Sequence, residues 1–212
     1  MEIMKPEEIE RRSMEIISEE LGDYTLDEEN EAVIKRVIHT TADFDFADIL
    51  EFSPYAVSLG IKALRRGAAI ITDTQMARAG INKKAAGELK CPICCYMNDL
   101  DVAKKAEEEQ TTRAKVSMDK AASLWPVGIY VVGNAPTALI RLHQLIEEEK
   151  IFPPLIVGVP VGFVNVVESK ELILQSKTPY IVSRGRKGGS TVAAAIINAM
   201  LYQAAPRDTQ PK

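Results

Sequence analysis

The sequence predicts an α/β fold, with a mainly parallel sheet of about five strands and helices on both faces of the sheet. The first observation is a set of five short apolar runs, at residues 68–72, 93–96, 129–132, 155–159 and 180–182. None of these runs alternates apolar with polar residues, which indicates strands buried on both faces, as in parallel sheets. The second observation is that helical stretches separate the runs, as crossovers between parallel strands require.

The residues before the first run are predicted to form three helices, over residues 6–20, 29–41 and 53–66. Apolar residues recur in the first two at helical spacing. Ser53 is a typical N-cap residue, Pro54 fits a first helical turn, and Gly67 favours a helix end. Residues 1–67 are therefore expected to be a helical part that precedes the sheet.

The remaining helices are expected to alternate with the strands. We predict them over residues 102–124, after Pro136 through Glu149, after Gly162 to about Gln175, and over residues 190–204. The tail, residues 206–212, looks frayed, and no linker or repeat interrupts the chain. The sequence therefore predicts a single domain over residues 1–212, with its α/β part at residues 68–205.

The composition narrows the classes of function. Hydrophobic residues make up 46% and charged residues 26% of the chain, as in ordinary globular proteins. No apolar run approaches the roughly 20 residues of a membrane helix, and no signal peptide is visible. A net charge of −4 argues against a nucleic-acid partner. Three cysteines are too few for a disulfide framework, so we expect a reducing, cytoplasmic location.

The loops that follow the predicted strands should line one crevice. Right-handed crossovers place every strand-to-helix loop at the carboxyl edge of a parallel sheet. These loops are Asp73-Thr74, residues 133–137, residues 160–162 and residues 184–190. The small residues of the second and third loops would let a ligand lie against the main chain, although each could simply be a tight turn. We expect Asn134 in the second loop to contact the ligand.

The strongest chemical signal is the glycine-rich loop, residues 183–191, with the sequence Ser-Arg-Gly-Arg-Lys-Gly-Gly-Ser-Thr. Its glycines allow close backbone approach, the following helix supplies free N–H groups, and Arg184, Arg186 and Lys187 add positive charge. It matches neither the Walker A order nor the dinucleotide fingerprint. The pattern indicates a cradle for a small anionic ligand; the alternative is a solvated turn with good capping.

A candidate catalytic histidine lies in the stretch Arg36–Phe46. Here His39 stands beside two threonines, two aspartates and two phenylalanines. Histidine exchanges protons near neutral pH, nearby hydroxyls and carboxylates could orient it, and phenylalanines could wall a dry pocket. The alternative is a helix end at which the histidine caps carbonyl groups and the aspartates face water.

Other reactive side chains are given structural interpretations. Cys91, Cys94 and Cys95 lack the fourth ligand of a structural zinc site, and the last two fall in a predicted buried strand, so core thiols are favoured over metal ligands. His143 is expected to cap a helix or face solvent. Arg113 falls in the middle of the predicted helix over residues 102–124, where a solvated face is the simple interpretation.

Several motifs together resemble one known family. They are RRSMEII, VIKRVIHTTADFDF, ITDTQMARAGI, GIYVVGNAPTAL, PPLIVGVPVGFVNVVESKELI and SRGRKGGSTVAAAIINAM. This combination is similar to the cobalt-precorrin-8 and precorrin-8X methylmutases of cobalamin biosynthesis, and the likeness covers about residues 6–204. The cysteine-rich segment, residues 91–95, is not part of the family pattern.

The resemblance implies a Rossmann-like three-layer fold, a homodimer and an isomerase that moves a methyl group from carbon 11 to carbon 12 of a corrinoid without an added cofactor. It implies that His39 is the catalytic residue. It also places Ser13, Thr74 and Arg113 near the substrate. A flat apolar ring fringed with carboxylates would suit the basic loop and the Val and Phe side chains of residues 158–165.

Two alternatives remain open at this point. A corrinoid-binding protein could use the same anion loop without turning the corrinoid over, and His39 would then be replaceable. A nucleotide-dependent α/β enzyme is the other, although both nucleotide fingerprints are missing. The sequence leaves open whether the substrate already carries cobalt.

Overall fold

Six strands form one mainly parallel sheet in the computed structural model, which describes residues 5–205 apart from the side chains of Pro6 and Glu7. The predicted frayed tail, residues 206–212, lies outside the described residues. The strands are β1 (Leu50–Phe52), β2 (Ile70–Thr72), β3 (Ile93–Cys94), β4 (Ile129–Val132), β5 (Ile156–Gly158) and β6 (Tyr180–Ser183). Their order is β1-β6-β5-β4-β2-β3, and every neighbouring pair except β1 with β6 is parallel. The predicted fold class is confirmed.

Strand β1 is the one the sequence did not predict, and it makes the part before residue 68 more than helical. It has three residues with Glu51 in the middle, which is too short and too polar for a recognisable strand pattern. It pairs with β6 through Leu50 opposite Ser183 and Phe52 opposite Ile181. Because this edge pair is antiparallel, the start of β1 lies at the carboxyl edge of β6.

Eleven helices are assigned within residues 5–205. They are α1 (Pro6–Leu21), α2 (Glu31–Thr41), α3 (Phe46–Ile49), α4 (Ala56–Arg65), α5 (Gln75–Gly80), α6 (Lys83–Glu88), α7 (Leu100–Glu108), α8 (Arg113–Leu124), α9 (Pro136–Glu147), α10 (Val166–Leu174) and α11 (Ser190–Ala204). The predicted helices over residues 6–20, 29–41 and 190–204 agree with α1, α2 and α11 to within two residues at either end.

Two predicted helices differ from the structure for identifiable reasons. Ser53 does not cap α4; its N–H donates to the carbonyl of Tyr180 and its Oγ accepts from the Tyr180 N–H, so it continues the β1–β6 ladder. The helix expected over residues 102–124 is two helices. The chain turns at Gln110, which has a positive φ of 50°, and Thr112 caps α8 by accepting from the Lys115 N–H at 3.2 Å.

The sheet lies between two helical layers, each with its own apolar core. Successive residues of a strand point to opposite faces of the sheet. Ile70 and Ile71 of β2 are therefore both fully buried but belong to different cores. Helices α2, α4, α5, α6 and α11 cover one face, and α8, α9 and α10 cover the other. No helix among residues 5–205 is long and apolar enough to cross a membrane.

Candidate functional site

A buried carboxylate organises the centre of the carboxyl edge of the sheet. Asp73, immediately after β2, is fully buried and accepts the main-chain N–H groups of Gly133, Asn134 and Ala135 at 2.9, 2.8 and 2.7 Å. Burial raises the pKa of the Asp73 carboxyl, and the three N–H groups oppose that rise by stabilising the anion. Asp73 thereby fixes the loop after β4 against the end of β2. The sequence placed Asp73 at this edge but did not predict its structural role.

Thr74 and the start of α11 meet beside this loop. The half-buried Thr74 caps α5 by accepting from the Ala77 N–H at 3.0 Å, and its Oγ1 lies 2.8 Å from the Ser190 Oγ. Gly133 is required where it stands, because a Cβ there would lie 2.7 Å from the Cα of Ser190. The loops after β2 and β4 therefore contact the first residue of α11.

The glycine-rich loop is pressed against the loop after β5. Gly188 has a φ of 155°, and a Cβ there would lie 2.1 Å from the Val159 carbonyl oxygen, so only glycine fits. The Gly189 N–H donates to that same carbonyl at 2.8 Å, and the Gly162 N–H donates to the Arg186 carbonyl at 3.3 Å. All four predicted loops thus meet at one edge of the sheet, as predicted, and the surface that they share is hereafter called the crevice.

Two of the three cations of the glycine-rich loop are already paired with carboxylates. Arg184 lies 2.7 Å from Glu51 and 3.5 Å from Glu171. Lys187 Nζ lies 2.7 Å from Asp43 Oδ2 and 2.6 Å from Asp45 Oδ2. A hydrogen bond from Lys187 lowers the pKa of Asp43, and the two aspartates raise the pKa of Lys187.

Arg186 has a different environment from the other two cations. Its guanidinium carbon lies 5.3 Å from the centre of the Phe163 ring, and no carboxylate of residues 5–205 pairs with it. Of the three cations of the loop, Arg186 alone has no carboxylate partner within residues 5–205, and the contact of all three with a substrate stays a prediction.

His39 lies at the same end of the molecule as the crevice. It occupies the last turn of α2, and this helix runs antiparallel to α11. Arg36 stacks over Tyr202 near the end of α11, and Asp43 reaches Lys187 just before its start. The His39 side chain is exposed, and no group among the described residues hydrogen-bonds to it.

The observed surroundings of His39 differ from the predicted ones. Thr40 and Thr41 donate to the carbonyls of Arg36 and Val37, one turn earlier in the same helix, and do not orient the imidazole. Phe46 is 3% exposed and packs in the core, so it forms no pocket wall. A single protomer therefore leaves the imidazole in water.

Of the other predicted site residues, Asn134 and Arg113 lie near the four loops, whereas Ser13 lies on α1, which packs against α2. Asn134 is exposed in the loop after β4, while Ser13 lies on α1 and donates its hydroxyl to the Ile9 carbonyl at 2.8 Å. Arg113 is exposed as the first residue of α8, so its expected mid-helix position is wrong. It follows Thr112, whose hydroxyl donates to Thr137 at the start of α9. Arg113 consequently lies next to the crevice rim.

Exposed apolar side chains continue the rim across the sheet. Phe163 and Val164 are 80% and 78% exposed after β5, Met76 is exposed at the start of α5, and Leu100 is 88% exposed at the start of α7. The end of β5 is three strands from the end of β3, which corresponds to about 14 Å. Met76 and Leu100 were not predicted to lie at the site, although they follow the ends of β2 and β3 by four and six residues.

The remaining candidates are structural within the described residues. Cys91 and Cys95 are buried, and burial raises the pKa of the Cys91 thiol to about 11, so the core-thiol interpretation is confirmed for both. Cys94 is only half-buried, contrary to prediction. His143 is half-buried rather than solvent-facing, and its Nδ1 has no partner. No cluster of His, Cys, Asp and Glu in residues 5–205 could hold a metal ion.

Comparison with known proteins assigns this chain to one family. A family model described as precorrin-8X methylmutase matches residues 8–203. The chain is 44% identical to the cobalt-precorrin-8 methylmutase of Leptospira interrogans, over 94% of each chain, and 45% identical to that of Salmonella typhimurium, over 94% of this chain and 96% of the other. A precorrin-8X methylmutase from Thermus thermophilus superposes with a TM-score of 0.88 at 36% identity, covering 93% of this chain and 96% of the other. The motifs, the family model and the superposed structure agree: the chain belongs to the precorrin-8X methylmutase family.

Proposed function

We propose that this protein converts cobalt-precorrin-8 by moving a methyl group from carbon 11 to carbon 12 of its ring. Family membership makes the chain a methylmutase of cobalamin biosynthesis, an isomerase that shifts a methyl group within its substrate, and does not favour a carrier without turnover. The relatives from Leptospira and Salmonella are named for the cobalt-bearing substrate, which supports the cobalt form.

One observation carries the proposal at the level of the site. The Lys187 ammonium contacts Asp43 and Asp45, so the anion-binding loop lies beside the helix end that bears His39. A substrate that contacts both must combine negative groups at its edge with a reacting centre reachable by an imidazole. A ring fringed with carboxylates fits this combination.

The role proposed for His39 is proton donation to the macrocycle, or a hydrogen bond to it, during methyl migration. The bond from the methyl carbon to carbon 11 breaks as the bond to carbon 12 forms, and a proton taken up during the shift is returned. Atoms and electrons balance without an oxidant or a reductant, so the proposal includes no added cofactor. His39 becomes dry only when the bound macrocycle or a second copy of the chain covers it.

The proposed substrate contacts begin with the three cations of the glycine-rich loop. Arg186 meets a fringe carboxylate directly, and Arg184 and Lys187 do so by exchanging their present acid partners. The exposed apolar rim, which includes Phe163, supports one face of the ring. Further contacts are proposed for the polar side chains at the remaining predicted positions, Ser13, Thr74, Arg113 and Asn134.

A homodimer is part of the proposal. Helix α1 packs outside α2 and leaves Ile9 and Ile16 exposed at 52% and 39%. These residues are seven positions apart and therefore share a helix face. A second copy covering this face would hide apolar surface that one protomer exposes.

The cytoplasmic location stays a prediction that rests on the cysteine count.

The test is a visible spectrum followed over time. Purified protein is mixed with cobalt-precorrin-8, and separately with its metal-free counterpart, and mass spectrometry checks that the product is isomeric with the substrate. A spectral shift that progresses over many turnovers is the expected result. An immediate stoichiometric shift that then stops would mean binding without catalysis. No shift with either corrinoid would contradict the proposed substrate.

A further inference from the structure

We propose that Lys170 positions the glycine-rich loop so that the main-chain N–H groups of Arg186 and Gly188 bind one carboxylate of the substrate. This inference rests on the proposed function and adds a positioning residue to it. Lys170 belongs to α10, is 1% exposed, and lies beneath the loop. It is absent from the residues predicted to form the site, because a lysine in the middle of an amphipathic helix normally faces water.

The partners of Lys170 are main-chain carbonyls. Its ammonium donates to the carbonyl oxygens of Gly185 and Lys187 at 2.8 and 2.9 Å. The buried Ser183 hydroxyl donates to the Lys187 carbonyl as well, at 2.8 Å. No carboxylate among the described residues pairs with Lys170, although burying an ammonium without a counter-charge is costly. Burial lowers the pKa of Lys170 to about 8, so the group stays mainly charged at neutral pH.

The direction of these carbonyls fixes the direction of the neighbouring N–H groups. In a trans peptide the C=O and the N–H point in opposite directions, and the described chain contains no cis peptide bond. The Gly185 carbonyl shares its peptide with the Arg186 N–H, and the Lys187 carbonyl shares its peptide with the Gly188 N–H. Because both carbonyls point inward at Lys170, both N–H groups point away from it, toward the outside of the loop.

These two N–H groups are available to a ligand. No main-chain or side-chain acceptor within residues 5–205 receives a hydrogen bond from the N–H of Arg186 or Gly188. Arg184 and Lys187 are held by acids, whereas the Arg186 guanidinium has no carboxylate partner in the described chain. The donors ready for an anion are thus one guanidinium and two oriented amides above a buried positive charge.

A purely structural role would leave a different experimental signature. If Lys170 only satisfied buried carbonyls, its loss would lower stability and leave the substrate affinity of the folded protein unchanged. If it orients the loop, its loss raises KM and Kd without slowing the chemistry of bound substrate, because the Lys187 side chain that ties the loop to the helix end bearing His39 is retained.

The experiment compares three variants with the parent protein. Lys170→Met removes the ammonium, Ser183→Ala removes the second donor to the Lys187 carbonyl, and Lys177→Met changes an exposed lysine just beyond α10 as the control. KM, kcat and the Kd from equilibrium spectral titration with cobalt-precorrin-8 are measured. We expect KM and Kd to rise about tenfold for Lys170→Met and about threefold for Ser183→Ala, with kcat within about twofold of the parent. Lys177→Met should match the parent.

The outcomes separate this inference from the function on which it rests. A folded Lys170→Met protein with the parent's KM and Kd overturns the inference while the methylmutase function stands. If Lys170→Met fails to fold, Ser183→Ala decides, and an unchanged KM there overturns the inference in the same way. A parent protein that converts no corrinoid removes the proposed function, and the inference falls with it.

Discussion

At the scale of single residues, Lys187 joins two parts of the site that are distant in the sequence. It contacts Asp43, which lies 144 positions earlier in the chain. The glycine-rich loop was predicted to offer three cations to an anion, and the acid partners of these cations were not predicted. Asp43 and Asp45 come to Lys187 only because α2 lies antiparallel to α11. A carboxylate substrate must therefore compete with carboxylates of the protein, which favours a ligand with several negative groups.

The first prediction concerns His39. His39→Ala should still bind the corrinoid, because its carboxylates and ring face are held by other groups. The variant should rearrange the corrinoid about 10²- to 10⁴-fold more slowly, the usual cost of losing a general acid. Single-turnover spectra of bound cobalt-precorrin-8 measure that rate directly.

His143→Ala is the matched control, because it removes the only other histidine of the chain. His143 lies on α9, away from the crevice loops, so its variant should turn over like the parent. Parental turnover by His39→Ala, with a slow His143→Ala, would mean that the chemistry was assigned to the wrong histidine.

The second prediction compares Arg186 with Lys187. Arg186→Ala and Lys187→Ala should each weaken corrinoid binding by about 1–3 kcal/mol if the cation meets a carboxylate directly. Lys187→Ala should also reduce kcat, because it removes the tie between the loop and the helix end that bears His39. Equilibrium titration and single-turnover rates separate the two effects. Unchanged affinity in both single variants and the double variant would place the loop outside the site.

At the scale of secondary-structure elements, the sequence predicted what depends on local pattern. The five parallel strands were visible as apolar runs, although the edge strand β3 is only half-buried. Helix α11 was predicted with the bounds that the structure has, because Gly188 and Gly189 before Ser190 mark its start. What could not be predicted depends on tertiary pairing. Strand β1 exists only because β6 offers it an open edge, and the Lys170 contacts depend on how α10 lies beneath the glycine-rich loop.

The third prediction tests how closely the glycine-rich loop and the loop after β5 must approach. Gly188→Ala places a Cβ against the Val159 carbonyl and keeps a positive φ, so the backbone must shift. We expect a loss of about 1–3 kcal/mol in the free energy of unfolding, together with weaker corrinoid binding. Denaturant titration gives the first quantity and spectral titration the second.

Gly87→Ala provides the comparison within the same chain. Gly87 lies inside α6, and nothing lies within 4 Å of the position of its missing Cβ. Alanine is the better helix former, so this variant should be as stable as the parent or slightly more stable. Equal stability of the Gly188 and Gly87 variants would mean that the two loops can separate at little cost.

At the scale of the whole molecule, α1 is an outer helix whose apolar residues are only partly buried by the core. Helices α2 and α11 already cover one face of the sheet, and α1 packs on the outside of α2. Its inward residues, including Ile17, join the core, while Ile9 and Ile16 remain exposed. Because α1 also carries Ser13, covering this helix would bring a predicted substrate-binding residue under a second protomer.

The last prediction follows from the exposed apolar face of α1, which includes Ile9 and Ile16. The protein should be a dimer in solution, with a light-scattering mass near twice the 23.3 kDa of one chain. Ile9→Asp combined with Ile16→Asp should shift the mass toward a monomer, because a charge on each residue cannot be buried in an apolar contact without a partner. Phe152→Asp is the control, since Phe152 is an exposed apolar residue outside α1, in the loop before β5 at the amino edge of the sheet, and its variant should stay dimeric. A monomer mass for the parent at micromolar concentration would remove the dimer, and a dimer that survives both isoleucine changes would move the interface away from α1.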